Sequence, residues 1–158
     1  MRLRRELVPG DRAAIAAVVR RTGFFNAEEI AVALELVEDR LANGEHSHYR
    51  FLVAEEGDVA VGYACWGPIP GTVASADLYW IAVDPAWQGR GVGRSLLAEA
   101  EAWMRSQGRR RVYIETATRA QYAPTRAFYL ACGYQLAAEL PDYYASGDGK
   151  AIFLKVLD

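Results

Sequence analysis

One stretch constrains this chain more than any other: Val83-Asp84-Pro85-Ala86-Trp87-Gln88-Gly89-Arg90-Gly91-Val92-Gly93-Arg94-Ser95. It leaves the apolar end of a β-rich segment over 76–83 and enters a helical pattern over about 91–107. Val92, Leu96, Leu97, Ala100, Trp103 and Met104 recur there at helical spacing before Gly108. Glycines at alternate positions between a strand and a helix allow positive φ and a close approach to a ligand, and the free amides of a first helical turn favour negative charge. A phosphate or pyrophosphate is the natural guest, with Arg90 and Arg94 adding charge at the rim. A turn that only packed a corner would gain nothing from so many glycines, which lose more conformational entropy on folding than other residues.

Spacing separates the kinds of phosphate loop. A dinucleotide fingerprint starting at Gly89 needs Gly where Arg94 stands, and Gly149-Lys150 is followed by Ala151 rather than Ser or Thr. The NAD and ATP loops therefore both fail.

Around this centre the chain reads β, α, α, β, β, β, α, β, α, β, β. A half-exposed first strand over 2–8 is stopped by Pro9-Gly10, and Asp11 is placed to cap a helix with Ile15, Val18 and Val19 on one face. Asn26 and Glu29 form a capping pair for a second helix over about 27–43, which Gly44 ends. Glu56-Gly57-Asp58 joins strands over 49–55 and 59–66 as a hairpin. Beyond the long helix come a strand over 111–116, a short helix over 124–131, and strands over 134–138 and 151–156.

With 158 residues, 52% of them hydrophobic, the chain can bury one full core, so a single domain over 1–158 is expected. A net charge of −2 gives no basic field for nucleic acid. Cys65 and Cys132 each sit in an apolar run and read as buried thiols in a reducing compartment rather than a disulfide. The N-terminal MRLRRELVPG lacks an apolar signal core, and no apolar run approaches the roughly 20 residues that span a bilayer, so a cytoplasmic location without a membrane partner is expected. His46-Ser47-His48 offers two ligands beside Glu45 and reads as a solvent-exposed loop, so no metal is expected.

A second motif follows the fifth strand: Tyr122-Ala123-Pro124-Thr125-Arg126-Ala127-Phe128-Tyr129-Leu130-Ala131-Cys132-Gly133-Tyr134. Together with Gln88-x-x-Gly91-x-Gly93 placed directly after a strand, it resembles the GNAT superfamily of N-acetyltransferases, and the strand and helix order follows that family along nearly the whole chain. The resemblance implies a mixed α/β fold with a central, mostly antiparallel sheet of six to seven strands, splayed between the fourth and fifth and flanked by about four helices. It implies acetyl-CoA as co-substrate and a primary amine as acceptor: a small molecule, a lysine, or a peptide or protein N-terminus.

Carried over residue by residue, the resemblance gives a cofactor site of Gln88, Gly89, Arg90, Gly91, Val92, Gly93, Arg94 and Ser95. Ile81, Ala82 and Val83 would line the pantetheine arm, with the Val83 amide on the thioester carbonyl, and Tyr122 and Phe128 would complete the site. Tyr129 takes the place of the tyrosine that protonates the leaving thiolate. Many relatives carry Asn where this chain has Tyr122. Arg109-Arg110-Arg111 reads as a solvated corner, with the adenosine 3'-phosphate as an alternative partner.

Acyl transfer from a thioester needs an amine held in line, donors for the carbonyl oxygen and an acid for the thiolate. No Gly-x-Ser-x-Gly elbow occurs and neither cysteine has a histidine beside it, which favours direct attack in a ternary complex. An ammonium must lose a proton first, and Glu115 is the first candidate base, with Asp77 and Tyr79 as alternatives. Phe24, Phe25, Tyr143 and Tyr144 are candidate acceptor-lining aromatics, the last two in a turn-rich loop. Other readings are a noncatalytic acyl-CoA sensor or partner subunit, and transfer of a different acyl group. A monomer and a homodimer both suit the chain.

Overall fold

The structure, a computed structural model, describes all 158 residues. Its elements are β1 (Arg2–Arg4), α1 (Asp11–Thr22), α2 (Ala27–Asn43), β2 (Arg50–Glu56), β3 (Val59–Pro68), β4 (Ser75–Val83), α3 (Val92–Ser106), β5 (Arg111–Ala117), α4 (Ala123–Ala131), β6 (Gln135–Ala145) and β7 (Asp148–Val156). This is the order the sequence implies. One seven-stranded sheet runs β1-β2-β3-β4-β5-β7-β6. β1 with β2, β2 with β3, β5 with β7 and β6 with β7 are antiparallel. β4 and β5 are parallel, in register over Ser75–Asp77 and Arg111–Tyr113 at the start of each strand, matching the expected splay at this pair. No helix is long and apolar enough to cross a membrane.

The chain forms two compact units, Met1–Gly67 with Leu78–Trp103 and Pro68–Asp77 with Met104–Asp158. In the first, Ile15, Val18 and Val19 of α1 and Val37 of α2 close over Phe51 of β2, Tyr63 and Cys65 of β3 and Ala82 of β4. The helical spacing of these apolar residues is what gives each helix one buried stripe. α2 starts at the expected capping box: the Asn26 side chain accepts the Glu29 amide and Glu29 accepts the Asn26 amide.

Asp11 acts differently from the sequence expectation. Gly10 holds the N-cap position of α1 without a side-chain cap. The buried Asp11 carboxylate instead accepts the Val8 amide at 2.7 Å and two bonds from Arg4 at 2.8 and 2.9 Å. Arg4 also donates to Glu55 at 2.6 and 2.9 Å, so one guanidinium compensates two buried carboxylates and ties β1 to β2 and α1. This explains why β1 ends at Arg4 rather than at residue 8: beyond it the chain turns to serve this ion network.

In the second unit, Val112 and Ile114 of β5, Tyr129 of α4, Tyr134, and Ala151 and Phe153 of β7 are buried. β6 is longer than expected. Its outer half, read from Pro141, Asp142 and Gly147 as a loop, stays extended because β7 pairs with it at Leu140 and again at Ala145, with an irregular register between. Asp142, at φ 58°, absorbs the irregularity. Cys65 is buried as expected, Cys132 is half-buried because it lies at the exposed end of α4, and neither forms a disulfide.

Arg4→Met is expected to lower the unfolding free energy by about 3 kcal/mol near neutral pH, since it strands the buried Asp11 carboxylate and leaves Glu55 with Arg2 alone. Hydrogen bonds from Arg4 and then Arg2 hold the Glu55 carboxyl below its ordinary value of 4.5. Its stabilising contribution is therefore present above that value and lost as pH falls through the lower folded value. Urea titrations of both proteins should show the deficit narrowing in acid; a deficit of constant size would mean that lost packing, not charge, is responsible.

Candidate active site

The Gly-rich loop belongs to the first unit and is anchored along its length. Arg21 of α1 grips the Asp84 carboxylate at 2.7 Å, and the other oxygen of Asp84 caps the following turn by accepting the Ala86 amide at 3.0 Å. The Asp84 amide donates to the Val61 carbonyl of β3 at 2.8 Å. Next to Val61, Gly62 is required for close approach, because a Cβ there would lie 3.0 Å from the Ala82 carbonyl and 3.3 Å from Leu96. Gln88 turns its amide back onto the Val83 carbonyl at 3.0 Å, so its side chain braces the loop from within.

Gly89 and Gly91 stand at φ 75° and 82°, conformations that disfavour any side chain, whereas Gly93 lies inside α3. Hydrogen bonding within α3 opens with the Ser95 amide on the Gly91 carbonyl at 3.0 Å. The amides of Val92, Gly93 and Arg94 therefore have no partner within the helix, and its dipole adds positive potential at the same place. A Cβ at Gly89 or Gly91 would meet nothing within 4 Å, so the space beside the turn is open. Arg90 stacks over Trp87 at 4.8 Å, fixing one cation at the rim. Ala82 is buried, while Ile81 and Val83 are half-buried.

The second unit presents the second motif. Arg126 clamps α4 to the end of β5 through the Ala117 and Arg119 carbonyls at 2.8 and 3.1 Å. Tyr129 is buried among Phe128, Tyr134 and Phe153, with ring centroids 5.6, 6.0 and 6.0 Å away. Burial, with a smaller push from Cys132, raises its phenol well above the ordinary tyrosine range, so it stays protonated. Tyr122 sits at the N-cap position of α4 under the Arg119 guanidinium, at 4.7 Å, and Arg119 is itself fixed to Asp148 at 2.6 Å.

The sequence profile of the acetyltransferase (GNAT) family matches residues 17–134. The chain belongs to the GNAT acetyltransferase family. A crystal structure of a GNAT-family protein from Desulfovibrio desulfuricans is 43% identical, covers 99% of each chain and superposes with a TM-score of 0.97. Mycothiol acetyltransferase of Beutenbergia cavernae is 34% identical over 107 residues, 65% of this chain and 34% of that enzyme. N-alpha-acetyltransferase RimI of Mycobacterium tuberculosis is 36% identical over 100 residues, 63% of this chain and 59% of that protein. This chain thus spans about a third of the mycothiol enzyme and well over half of RimI.

In this GNAT chain the second unit also holds four of the candidate acceptor residues, Asp77, Glu115, Tyr143 and Tyr144, and to them it adds Lys150. Lys150, which in the sequence belongs only to a pattern that fails as an ATP loop, reaches Glu115 at 2.8 Å and lies over the Tyr143 ring at 4.3 Å. Tyr143 and Tyr144 meet edge to face at 5.0 Å. Asp77 is half-buried, and burial first, then the Glu115 carboxylate, push its pKa up against the pull of Lys150. No sequence signal marks Lys150, because β5–β7 register, not proximity in the chain, brings it to Glu115.

Tyr79 and the Phe24-Phe25 pair lie in the first unit. Phe25 packs edge-on against Trp80 at 4.9 Å, and Phe24 is exposed. Tyr79 meets His48, whose Nε2 is 2.7 Å from the Tyr79 hydroxyl. The expectation of a solvent-exposed His46-Ser47-His48 loop is thereby corrected: His46 is exposed, but Ser47 is buried and hydrogen-bonded to Asp39 at 2.5 Å, and His48 is packed. No group of three or more His, Cys, Asp or Glu stands together as a metal site.

Replacing Lys150 by Met removes the cation that holds the Asp77 carboxyl down. Carboxyl-carbon NMR should show Asp77 titrating at higher pH in Lys150→Met than in the parent; an unmoved titration would put Lys150 outside its electrostatic reach.

Proposed function

We propose that this chain is a single-domain N-acetyltransferase that moves the acetyl group of acetyl-CoA to a primary amine by direct attack in a ternary complex. The observation that carries this reading is the start of α3, where the Val92, Gly93 and Arg94 amides lack helical partners behind two positive-φ glycines and open space. That arrangement fits a pyrophosphate, with Arg90 and Arg94 for the remaining charge.

In this reading Gln88, Gly89, Gly91 and Ser95 shape the loop, while Ile81, Ala82 and Val83 offer an apolar edge and the Val83 amide polarises the thioester carbonyl. Tyr129, kept protonated by its burial, gives its proton to the departing thiolate. Phe128 and Tyr122 flank it in the same motif. Asp77 and Glu115 supply negative charge for an ammonium acceptor, and Tyr143 and Tyr144 supply aromatic faces on which a cation rests. The contact with Lys150 at 2.8 Å holds the Glu115 side chain in place. The relatives' names point to two acceptor types, a small molecule for mycothiol acetyltransferase and an α-amine for N-alpha-acetyltransferase RimI.

Acetyl-CoA is expected to raise the melting temperature selectively over NAD and ATP, with about 2.7 kcal/mol of added stability at a hundredfold excess over Kd. No shift with any acyl-CoA would remove the reading. In calorimetry, Gly91→Glu should lose acetyl-CoA binding while the protein stays folded, because it sets bulk and charge at a positive-φ turn. Tyr129→Phe should lower kcat by about a hundredfold with cofactor affinity nearly unchanged; a fully active variant would take Tyr129 out of the chemistry.

A further inference from the structure

The group that takes the acceptor's proton is not settled by the carboxylates, since Glu115 is bound to Lys150. The first unit holds another arrangement. Tyr79 stands on β4, the strand that delivers Val83 to the Gly-rich loop, and is 37% exposed. Its hydroxyl lies 2.7 Å from His48 Nε2, and Tyr49 braces both rings edge-on, with centroids 5.2 Å from His48 and 5.4 Å from Tyr79. The imidazole is seated with little freedom: a Cβ on Gly67 of β3 would lie 2.7 Å from its Nε2 and 3.0 Å from its Cδ2. Gly67 thus leaves room for the ring at the one spot where Nε2 meets the tyrosine.

We infer that His48, acting through the Tyr79 hydroxyl, is the general base that removes the proton from the acceptor amine. The inference rests on the amine acetyltransferase reading and names the proton acceptor that reading leaves open. As the amine lone pair forms the C–N bond to the thioester carbonyl, the nitrogen becomes acidic. Its N–H bond breaks toward Tyr79 Oη, directly or through one water, while the Tyr79 proton crosses to His48 Nε2. The C–S bond then breaks, the thiolate takes a proton from Tyr129, the imidazolium returns its proton to water, and Tyr129 is reprotonated from water.

The surroundings suit a base that is neutral near pH 7. Burial, then the Arg50 guanidinium of β2, lower the His48 pKa from its ordinary 6.5, and Asp39 of α2 opposes them. Tyr79 of β4 and the neighbouring Tyr49 also lie against the ring. A carboxylate alone would hold an ammonium as a salt, whereas a neutral imidazole behind a phenol can take up the proton that the nitrogen releases.

The test uses the full chain with acetyl-CoA and three probe amines: a hexapeptide with a free N-terminal alanine, spermidine and kanamycin. Rates are followed by free-thiol release from pH 5.5 to 9.5. His48→Gln and Tyr79→Phe should each lower kcat about a hundredfold, with acetyl-CoA affinity by calorimetry unchanged, and His48→Gln should lose the ascending limb below pH 6.5. His46→Gln, a change at the exposed neighbouring histidine, should match the parent throughout. If the parent turns over but His48→Gln keeps its rate and pH profile, the relay is overturned and the transferase reading stands. If the parent binds acetyl-CoA yet acetylates none of the three amines, the amine reading falls and the relay with it.

Discussion

Three backbone amides at the start of α3 have no partner inside their own helix, and much of the first unit keeps them in place. A loop containing Gly89 and Gly91 has a large entropy of its own and would not hold a fixed shape unaided. Arg21 from α1, the Val61 carbonyl from β3 and the side chains of Asp84 and Gln88 tie it down at successive points. Gly62 permits the close approach of β3 to the Ala82 carbonyl that this anchoring needs. The cost of ordering glycines is met by ordinary hydrogen bonds and one ion pair, which holds these amides in a fixed arrangement.

The polar chemistry elsewhere follows one rule: the environment of each side chain fixes its proton. Tyr129 is surrounded by aromatic rings and remains a phenol. Glu115 pairs with Lys150 at 2.8 Å, while Asp77, pushed first by burial and then by that neighbouring carboxylate, moves toward the neutral form. His48, partly buried and facing Arg50, is pushed toward the neutral form. Burial and neighbours, rather than residue type, thus separate the proton states of Tyr129, Asp77 and His48.

Where the sequence was legible, the signal was local. The Asn26–Glu29 box fixed the start of α2, and the helical spacing of Val92, Leu96, Leu97 and Ala100 marked α3, because caps and periodicity depend on residues within one or two turns. Where it misled, distant partners decided. Asp11 has the composition of a cap but serves the Arg4 network across β1 and β2. Leu140-Pro141-Asp142 has the composition of a turn, yet β7 holds both ends of it in the sheet. His48 looked like a surface residue until Tyr79, 31 residues away, was brought against it.

The sequence by itself determined the order of strands and helices, the position of the Gly-rich turn and the presence of the Phe128-Tyr129 motif, and with these the GNAT membership. Only the tertiary structure decided which charges meet: Lys150 with Glu115, Arg4 with Asp11 and Glu55, His48 with Tyr79. The reason is physical. Backbone preference and helix capping act over a few residues, whereas protonation and ion pairing depend on burial and on strand register, which exist only once the sheet has formed.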